Sequence, residues 1–380
     1  MFHRKFSADR LFDGHRFIEG KVLITDEKGR ILDMANQEEA GDDVEFLRGT
    51  LTPGLVNCHA HLELSHMRGK IPEQTGLVEF VISVVNNRHI PEEQILASIE
   101  RAEDEMWSNG IVAVGDICNN LLTIPQKSRH NLHYHNFIEA SGFPPFLAPE
   151  RFKRSIELYE AYKKISPSSI VPHATYSVSD ELFSLMINFP GNELLCIHNQ
   201  ETKSEDDWFL NGTGRMQDLY LKLKIDTAHY KSPGLSSIRH FLSKLKTGQR
   251  AVLVHNVYTS KADISYANSS GIEIFWCFCP GANLYISGEL PHVNEFVDQD
   301  CRIVLGTDSL ASNHQLDLLS EIREIRKKYP DLSDATVLTW ATSNGASALM
   351  MDKELGSFEP GKKPGLVVID EKFRKAQRIL

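Results

Sequence analysis

From Gly54 onward, short apolar segments with strand character alternate with longer segments of helical character. This alternation is typical of βα units built around a parallel sheet. Eight repeats over about 250 residues have the size and rhythm of a closed barrel. We therefore predict an α/β fold, a (β/α)8 barrel of TIM type, for residues 53–352. The strand candidates are Leu55–Cys58, Ile111–Ile117, Leu132–Glu139, Ile170–Ala174, Leu194–His198, Ala251–His255, Ile272–Phe278 and Cys301–Gly306.

The two ends of the chain differ from this middle part. Residues 1–52 alternate and turn like a small β unit, and residues 353–380 return to turns followed by a strand over Gly365–Asp370. The simplest arrangement joins both ends. We predict a small, discontinuous β-sandwich domain made from residues 1–52 and 353–380.

Composition limits the partners of the chain. With 380 residues, 41% of them hydrophobic, it can bury a large core. A net charge of -10, without any block of Lys or Arg, argues against nucleic acid and anionic membranes and favours a small-molecule partner. The chain has no apolar run long enough to span a bilayer and no signal-peptide core, which indicates a cytoplasmic protein. The six cysteines lie in scattered apolar runs, as reduced core thiols do.

Metal-binding and proton-handling side chains fall at the predicted C-terminal strand ends, where such barrels carry their chemistry. They are His59, His61, His173, His198, His255 and Asp308. His59 and His61 stand two apart on a strand, so both imidazoles project from one face and can reach one ion. Three neutral imidazoles and one carboxylate leave a coordination position open for water, as in catalytic sites. A second pair, His133 and His135, lies inside strand three and is expected to be structural.

Five ordered motifs resemble the amidohydrolase superfamily, in its branch of cytosine, guanine and S-adenosylhomocysteine deaminases and chlorohydrolases. The motifs are Pro53-Gly-Leu-Val-Asn-Cys-His-Ala-His61, Ile197-His-Asn-Gln-Glu-Thr202, Leu253-Val-His-Asn256, Cys279-Pro-Gly-Ala-Asn-Leu-Tyr-Ile-Ser-Gly288 and Leu305-Gly-Thr-Asp-Ser-Leu-Ala-Ser-Asn313. The resemblance implies that His59, His61, His198 and Asp308 bind one divalent ion, zinc or alternatively iron. It also implies that Glu201 and His255 transfer protons. Homodimers are common in the family, so a homodimer is a further expectation. The bridging lysine of two-metal members is absent after strand four, which favours a single ion.

The chemistry of these residues agrees with the resemblance. A divalent metal lowers the pKa of its water toward about 7, so hydroxide can attack a ring carbon that bears an amino group. Glu201 follows His198 by three residues and could protonate the ring nitrogen and the leaving amine. Asp308 could take the proton of the water, and His255 could polarise the developing charge. The alternative for Glu201 is a helix N-terminal carboxylate favoured by the helix dipole.

Looser similarity points toward the substrate. The stretches Glu63-Leu-Ser65, Gly115-Asp-Ile117 and Phe137-Ile-Glu-Ala140, together with Phe80, look like the aminodeoxyfutalosine deaminases of menaquinone biosynthesis. The substrate-binding candidates are Asp116 and Glu139 for ribose hydroxyls or ring N–H groups, His173 by resemblance to nucleoside deaminases, and Phe80 and Trp208 for stacking. Each candidate has an alternative role. Asp116 and Glu139 could instead be solvated in loops or cap a helix, and His173 could make a hydrogen bond in the core. Phe80 and Trp208 could simply pack against neighbouring side chains. Residues 206–232 are predicted to form a lid.

Together these observations predict a metal-dependent aminohydrolase that releases ammonia from an amino-substituted purine or a nucleoside-like heterocycle, 6-aminodeoxyfutalosine being one candidate. Three alternatives stay open. The same site could hydrolyse C–Cl, imino or cyclic amide bonds. The chain could instead be a non-catalytic scaffold, or a structural zinc protein that unfolds on chelation.

Overall fold

The computed structural model describes residues 3–380. The strands are β1 (His3–Phe12), β2 (Phe17–Ile18), β3 (Lys21–Asp26), β4 (Ile31–Asn36), β5 (Val44–Pro53), β6 (Leu55–Ala60), β7 (Ile111–Cys118), β8 (His133–Ala140), β9 (Ser168–Pro172), β10 (Leu194–Asn199), β11 (Arg250–His255), β12 (Glu273–Phe278), β13 (Ile303–Leu305), β14 (Leu366–Ile369) and β15 (Ala376–Arg378). The α-helices are α1 (Leu77–Asn87), α2 (Glu92–Ser108), α3 (Ile124–Lys127), α4 (Ala148–Tyr162), α5 (Asp180–Ile187), α6 (Lys203–Asn211), α7 (Met216–Lys222), α8 (Ser237–Leu242), α9 (Lys261–Ser269), α10 (Pro280–Ile286), α11 (Val293–Val297), α12 (Leu318–Lys328), α13 (Asp334–Ala341) and α14 (Ser343–Ala348).

The middle of the chain contains two parallel sheets of four strands each, in the orders β6-β7-β8-β9 and β10-β11-β12-β13. Each predicted strand of the alternating region is present, with bounds shifted by a few residues. Isolated parallel bridges join the edges of the two sheets, one between Ala60 and Asp308 and one between Ala174 and His198. Both bridges lie at or just beyond the C-terminal ends of the strands.

The burial pattern explains why these segments form parallel strands. Every residue of β6, β7 and β10 is buried, as expected when both faces of a sheet are covered. The covering helices are amphipathic. In α12, Leu318, Ile322 and Ile325 are buried, and the Asp317 carboxylate caps the helix by accepting the Leu319 N–H at 2.9 Å.

Both chain ends contribute to one mixed sheet of seven strands in the described part of the chain, in the order β15-β14-β5-β1-β3-β4 with β2 paired to β1. The long strand β5 joins the ends, since it pairs parallel with β1 and antiparallel with β14. The two chain ends therefore pair with each other, as predicted. Their strands form one continuous hydrogen-bonded sheet, whereas a β-sandwich with two separate sheets was predicted. Across residues 3–380, the helices are too short or too polar to cross a membrane.

Candidate metal centre and active site

Four predicted ligand side chains converge where the edges of the two parallel sheets meet. His59 lies on β6 with His61 just after it, His198 lies on β10, and Asp308 follows β13. One ligand atom from each lies within 4.8 Å of all the others. His59 Nε2 is 3.1 Å from His61 Nε2 and 3.5 Å from Asp308 Oδ1. Three imidazole nitrogens and a carboxylate oxygen this close together could hold one divalent ion.

The protonation states also suit metal binding. Burial lowers the pKa of His61 to about 3 and that of His198 well below its usual range, so both imidazoles are neutral. Burial opposes ionisation of Asp308, but the adjacent His59 and His61 hold its pKa well below the usual value. Neutral imidazoles and an ionised carboxylate are the forms that ligate metals. The donor set therefore fits the implied ion.

Hydrogen bonds from outside the cluster orient the donors. His198 Nδ1 donates to the His173 carbonyl oxygen at 2.7 Å, which leaves Nε2 free. Ser312 Oγ donates to Asp308 Oδ2 at 2.5 Å, so Oδ1 faces the histidines. Asp308 adopts a φ of 55°, in the left-handed region that favours glycine. Its N–H donates to the His59 carbonyl at 3.0 Å, and this contact helps to hold the strained residue in place.

Glu201 and His255 form a second polar pair beside the four donors. Glu201 Oε1 lies 3.7 Å from His255 Nε2. The Asn283 side-chain amide donates to His255 Nδ1 at 3.0 Å, which puts the proton of a neutral imidazole on Nε2. Burial raises the pKa of Glu201 well above its usual value and lowers that of His255 to about 4. Burial thus favours the protonated form of the Glu201 carboxyl group, and His255 presents a neutral N–H donor.

These groups open onto a cavity of about 760 Å³. The lining residues include His61, His198, Glu201, His255 and Asp308. One face of α1 provides an apolar wall, because the lining residues recur at helical spacing. They are Leu77, Phe80, Val81, Val84 and Val85, and Arg88, directly after the helix, also lines the cavity.

Three of the predicted substrate-binding residues line this cavity, namely Phe80, Glu139 and His173. Burial raises the pKa of Glu139 to about 7, and its Oε1 accepts a hydrogen bond from Asn119 at 3.1 Å. Glu139 Oε2 is buried and has no partner within residues 3–380. His173 Nδ1 lies 3.1 Å from Ser177 Oγ. A ligand in the cavity could therefore meet a free oxygen of Glu139.

Asp116 and Trp208 do not line the cavity, contrary to the sequence-based expectation. Asp116 Oδ2 pairs with Lys127 Nζ at 2.5 Å, and Oδ1 accepts the Leu62 N–H at 2.8 Å. Both oxygens are thus engaged inside the protein. The indole of Trp208 stacks on Tyr230, with ring centroids 4.4 Å apart and an interplanar angle of 9°. That ring covers one face of the indole, and Trp208 is only 3% exposed, so it is not available to a base.

The structure adds functional contacts that the sequence analysis did not assign. Asn283 orients His255, Ser312 orients Asp308, and Cys196 Sγ lies 3.6 Å from His59 Nδ1. Asn283 stands inside one of the recognised motifs, which was a usable signal. Ser312 also stands inside a recognised motif, four residues after Asp308, whereas no local pattern marks Cys196, because its partner His59 lies on another strand.

Comparisons with known proteins agree with this geometry. The model of the amidohydrolase family matches residues 50–378, and the chain belongs to that family. The adenosine deaminase of Helicobacter pylori is 26% identical over 350 residues, covering 88% of this chain and 83% of that protein. A 5-methylthioadenosine/S-adenosylhomocysteine deaminase of Teredinibacter turnerae is 27% identical over 348 residues, covering 84% and 71%. The predicted superfamily and its deaminase branch are confirmed.

Solved structures share the fold. The crystal structure of Helicobacter pylori aminofutalosine deaminase in complex with methylthio-coformycin superposes with a TM-score of 0.83 at 21% identity, covering 99% of this chain and all of that one (100%). An adenosine deaminase from Xanthomonas campestris with bound zinc gives a TM-score of 0.75 at 22% identity, covering 96% and 84%.

Proposed function

We propose that this protein is a metal-dependent aminohydrolase that replaces the exocyclic amino group of a purine-like nucleoside by an oxo group and releases ammonia. The observation that carries the proposal is the cluster of His59, His61, His198 and Asp308, of which all but the fully buried His59 line one cavity together with Glu201 and His255. Membership in the amidohydrolase family and relatives named as adenosine and 5-methylthioadenosine/S-adenosylhomocysteine deaminases support the same reaction.

The ion is proposed to be zinc, with iron as the alternative, held by His59, His61, His198 and Asp308. Zinc accepts this nitrogen and oxygen donor set, and it is the metal named in the Xanthomonas campestris structure. When bound, such an ion supplies a nucleophile at neutral pH by lowering the pKa of water from 15.7 to about 7.

The remaining residues handle protons and charge. Water adds to the ring carbon, and the carbon–nitrogen bond then breaks to release ammonia. Burial raises the pKa of Glu201 and so favours its protonated form, which can protonate the ring nitrogen. Glu201 can then take the hydroxyl proton of the tetrahedral carbon and pass it to the leaving amine. His255 directs its Nε2 proton toward the same space and can stabilise negative charge as the carbon becomes tetrahedral. Asp308 accepts the proton of the attacking water and returns it to Glu201 once ammonia has left, so that both carboxyl groups regain their starting states.

The cavity favours a substrate larger than a free base. The lining residues run from Leu77, the first residue of α1, to Arg88, directly after the helix, about 16 Å at the helical rise of 1.5 Å per residue. Arg88 Nε is buried and lacks a hydrogen-bond partner within the described residues. Phe80, Glu139 and His173 are proposed to contact the nucleoside, and a substituent would extend toward Arg88. The specific substrate proposed is 6-aminodeoxyfutalosine, in line with the fold shared with aminofutalosine deaminase.

Three further predictions belong to this proposal. The two parallel sheets are inferred to close into a (β/α)8 barrel, supported by the bridges at Ala60 and Ala174. Residues 53–352 would form this catalytic domain, and residues 1–52 with 353–380 the small β domain. The homodimer and the cytoplasmic location stay predictions, and light scattering on the purified chain tests the first of them.

The test is ammonia release from zinc-loaded and iron-loaded protein with adenine, adenosine, S-adenosylhomocysteine, 6-aminodeoxyfutalosine, guanine and cytosine. Chelated protein is the negative control, and chelated protein reloaded with zinc is the matched positive control. The proposal expects release from a nucleoside that disappears on chelation and returns on reloading. A chain that binds zinc but releases no ammonia from any of these compounds contradicts the proposal. The alternative hydrolysis of C–Cl, imino or cyclic amide bonds would then be tested next.

A further inference from the structure

The two ring nitrogens of His59 have different surroundings. Nε2 faces the donor cluster, 3.1 Å from His61 Nε2 and 3.5 Å from Asp308 Oδ1. Nδ1 lies 3.6 Å from the Cys196 Sγ atom. His59 and Cys196 are 0% and 1% exposed, so water does not compete for this contact. The partner of His59 Nδ1 is therefore a buried thiol on a different strand.

The position of Cys196 follows from the period of the strand. Cys196 and His198 stand two apart on β10, so their side chains project from the same face. The base of the His59 side chain is closely packed against β13 and the residues after it. A Cβ built on Gly306 would lie only 2.9 Å from His59 Cβ, Cys277 Sγ and Cys279 Sγ. His59 thus has little room to turn toward a different partner.

The proton of the imidazole gives this contact a chemical consequence. A neutral imidazole carries one proton, and ligation through Nε2 requires that proton to sit on Nδ1. A buried N–H group without an acceptor destabilises the state that contains it. His198 satisfies this requirement with the carbonyl oxygen of His173 at 2.7 Å. His59 has a sulfur acceptor where metal-bound histidines usually have a carboxylate, a carbonyl or water.

We propose that Cys196 is a positioning residue of the metal centre. Its sulfur accepts a hydrogen bond from the Nδ1–H group of His59 and so stabilises the tautomer whose Nε2 is free for the ion. This inference rests on the divalent metal site of the proposed function. It concerns metal retention and makes no claim about the substrate. Orientation of a ligand by such an outer contact is typically worth 10–100-fold in metal affinity.

The experiment measures zinc affinity by competition with a chelator, for wild type and for Cys196→Ala, Cys196→Ser and Cys58→Ala. Cys58 is the matched control, because it is also a fully buried thiol but its Sγ lies 3.7 Å from the Gly345 carbonyl. We expect Cys196→Ala to weaken zinc binding about 10–100-fold, because the Nδ1 proton loses its acceptor. Cys196→Ser restores most of the affinity, and Cys58→Ala keeps that of wild type.

A second readout uses the cobalt-loaded proteins, whose visible spectrum reports the ligand field at the ion. Cys196→Ser should shift this spectrum, since an oxygen acceptor changes the donor strength of His59. If Cys196→Ala does not fold, the spectrum of Cys196→Ser serves as the test. Unchanged affinity in Cys196→Ala, no rescue by serine, an equal loss in Cys58→Ala, or an unchanged cobalt spectrum would each overturn the inference. A wild-type chain that binds no divalent ion would instead refute the proposed function, so the two failures are distinguishable.

Discussion

The buried ion pair of Lys127 and Asp116 lies beneath the ends of strands β7 and β8, and its removal tests the structural role of Asp116. Lys127 is 1% exposed and Asp116 is 0% exposed. Lys127 Nζ contacts Asp116 Oδ2 at 2.5 Å, Asn136 Oδ1 at 2.9 Å and Cys118 Sγ at 3.1 Å. Asp116 Oδ1 in turn holds the backbone N–H of Leu62, directly after His61. The pair thus supports the loop that carries one proposed ligand.

Lys127→Met keeps an unbranched side chain and removes the charge. Asp116 then becomes a buried carboxylate without a counter-ion, which costs about 3–5 kcal/mol. At about 2.1 cal/mol/K of unfolding entropy per residue, the 380-residue chain loses about 1.3 °C of Tm for each kcal/mol. The expected fall in Tm is therefore about 4–6 °C.

Calorimetry of the metal-free proteins measures this fall without a contribution from bound ion. The double variant Lys127→Met with Asp116→Asn removes both charges and should recover much of the lost stability, because no uncompensated charge remains. The surface pair Lys163 and Glu160 provides a control, and Lys163→Met should leave Tm nearly unchanged. A single variant as stable as wild type, or a double variant less stable than the single, would refute this reasoning.

Three further predictions concern catalysis, substrate range and pH. Glu201→Gln keeps the size of the side chain but removes the acidic proton, so kcat should fall by about 10²–10⁴. Elemental analysis should show a normal metal content in this variant. A wild-type rate would show that Glu201 does not transfer the proton. Arg88→Met should raise KM for nucleosides with an anionic substituent and leave KM for adenosine unchanged; equal effects on both would exclude a selective contact. Burial raises the pKa of Glu205 from 4.5 to about 8, so its contribution to stability is present below pH 4.5 and is lost as pH rises toward 8. Thermal unfolding from pH 5 to 8 should show a smaller loss of Tm in Glu205→Gln than in wild type, and parallel curves would contradict that assignment.

Much of the site was predictable because it depends on local patterns. Each strand of the two parallel sheets is a short apolar run, and parallel neighbours place their C-terminal ends at the same edge. That rule alone brings His59, His61, His198 and Asp308 together, and the structure places their ligand atoms within 4.8 Å. The same rule accounts for Glu139 and His173 at the cavity.

The rest depends on partners that are distant in sequence or on another element. Asp116 has the strand-end position of a substrate contact, but Lys127 reaches it from the short helix α3. Trp208 has the character of a stacking residue, but Tyr230 covers one face of its ring. The pairing of the terminal strands could not be predicted for the same reason. Local alternation identifies them as β structure, whereas pairing on both edges of β5 makes them one sheet.

The most direct test of the central claim is a titration of metal-free protein with zinc while ammonia release from the best nucleoside is recorded. We expect no ammonia release without metal, a rate that rises linearly with added zinc, and a plateau at one zinc per chain. Asp308→Asn should retain less zinc and show little activity at the same zinc concentration, because the cluster loses its ionised ligand. Full activity in the metal-free chain, or a wild-type titration curve for Asp308→Asn, would contradict the account.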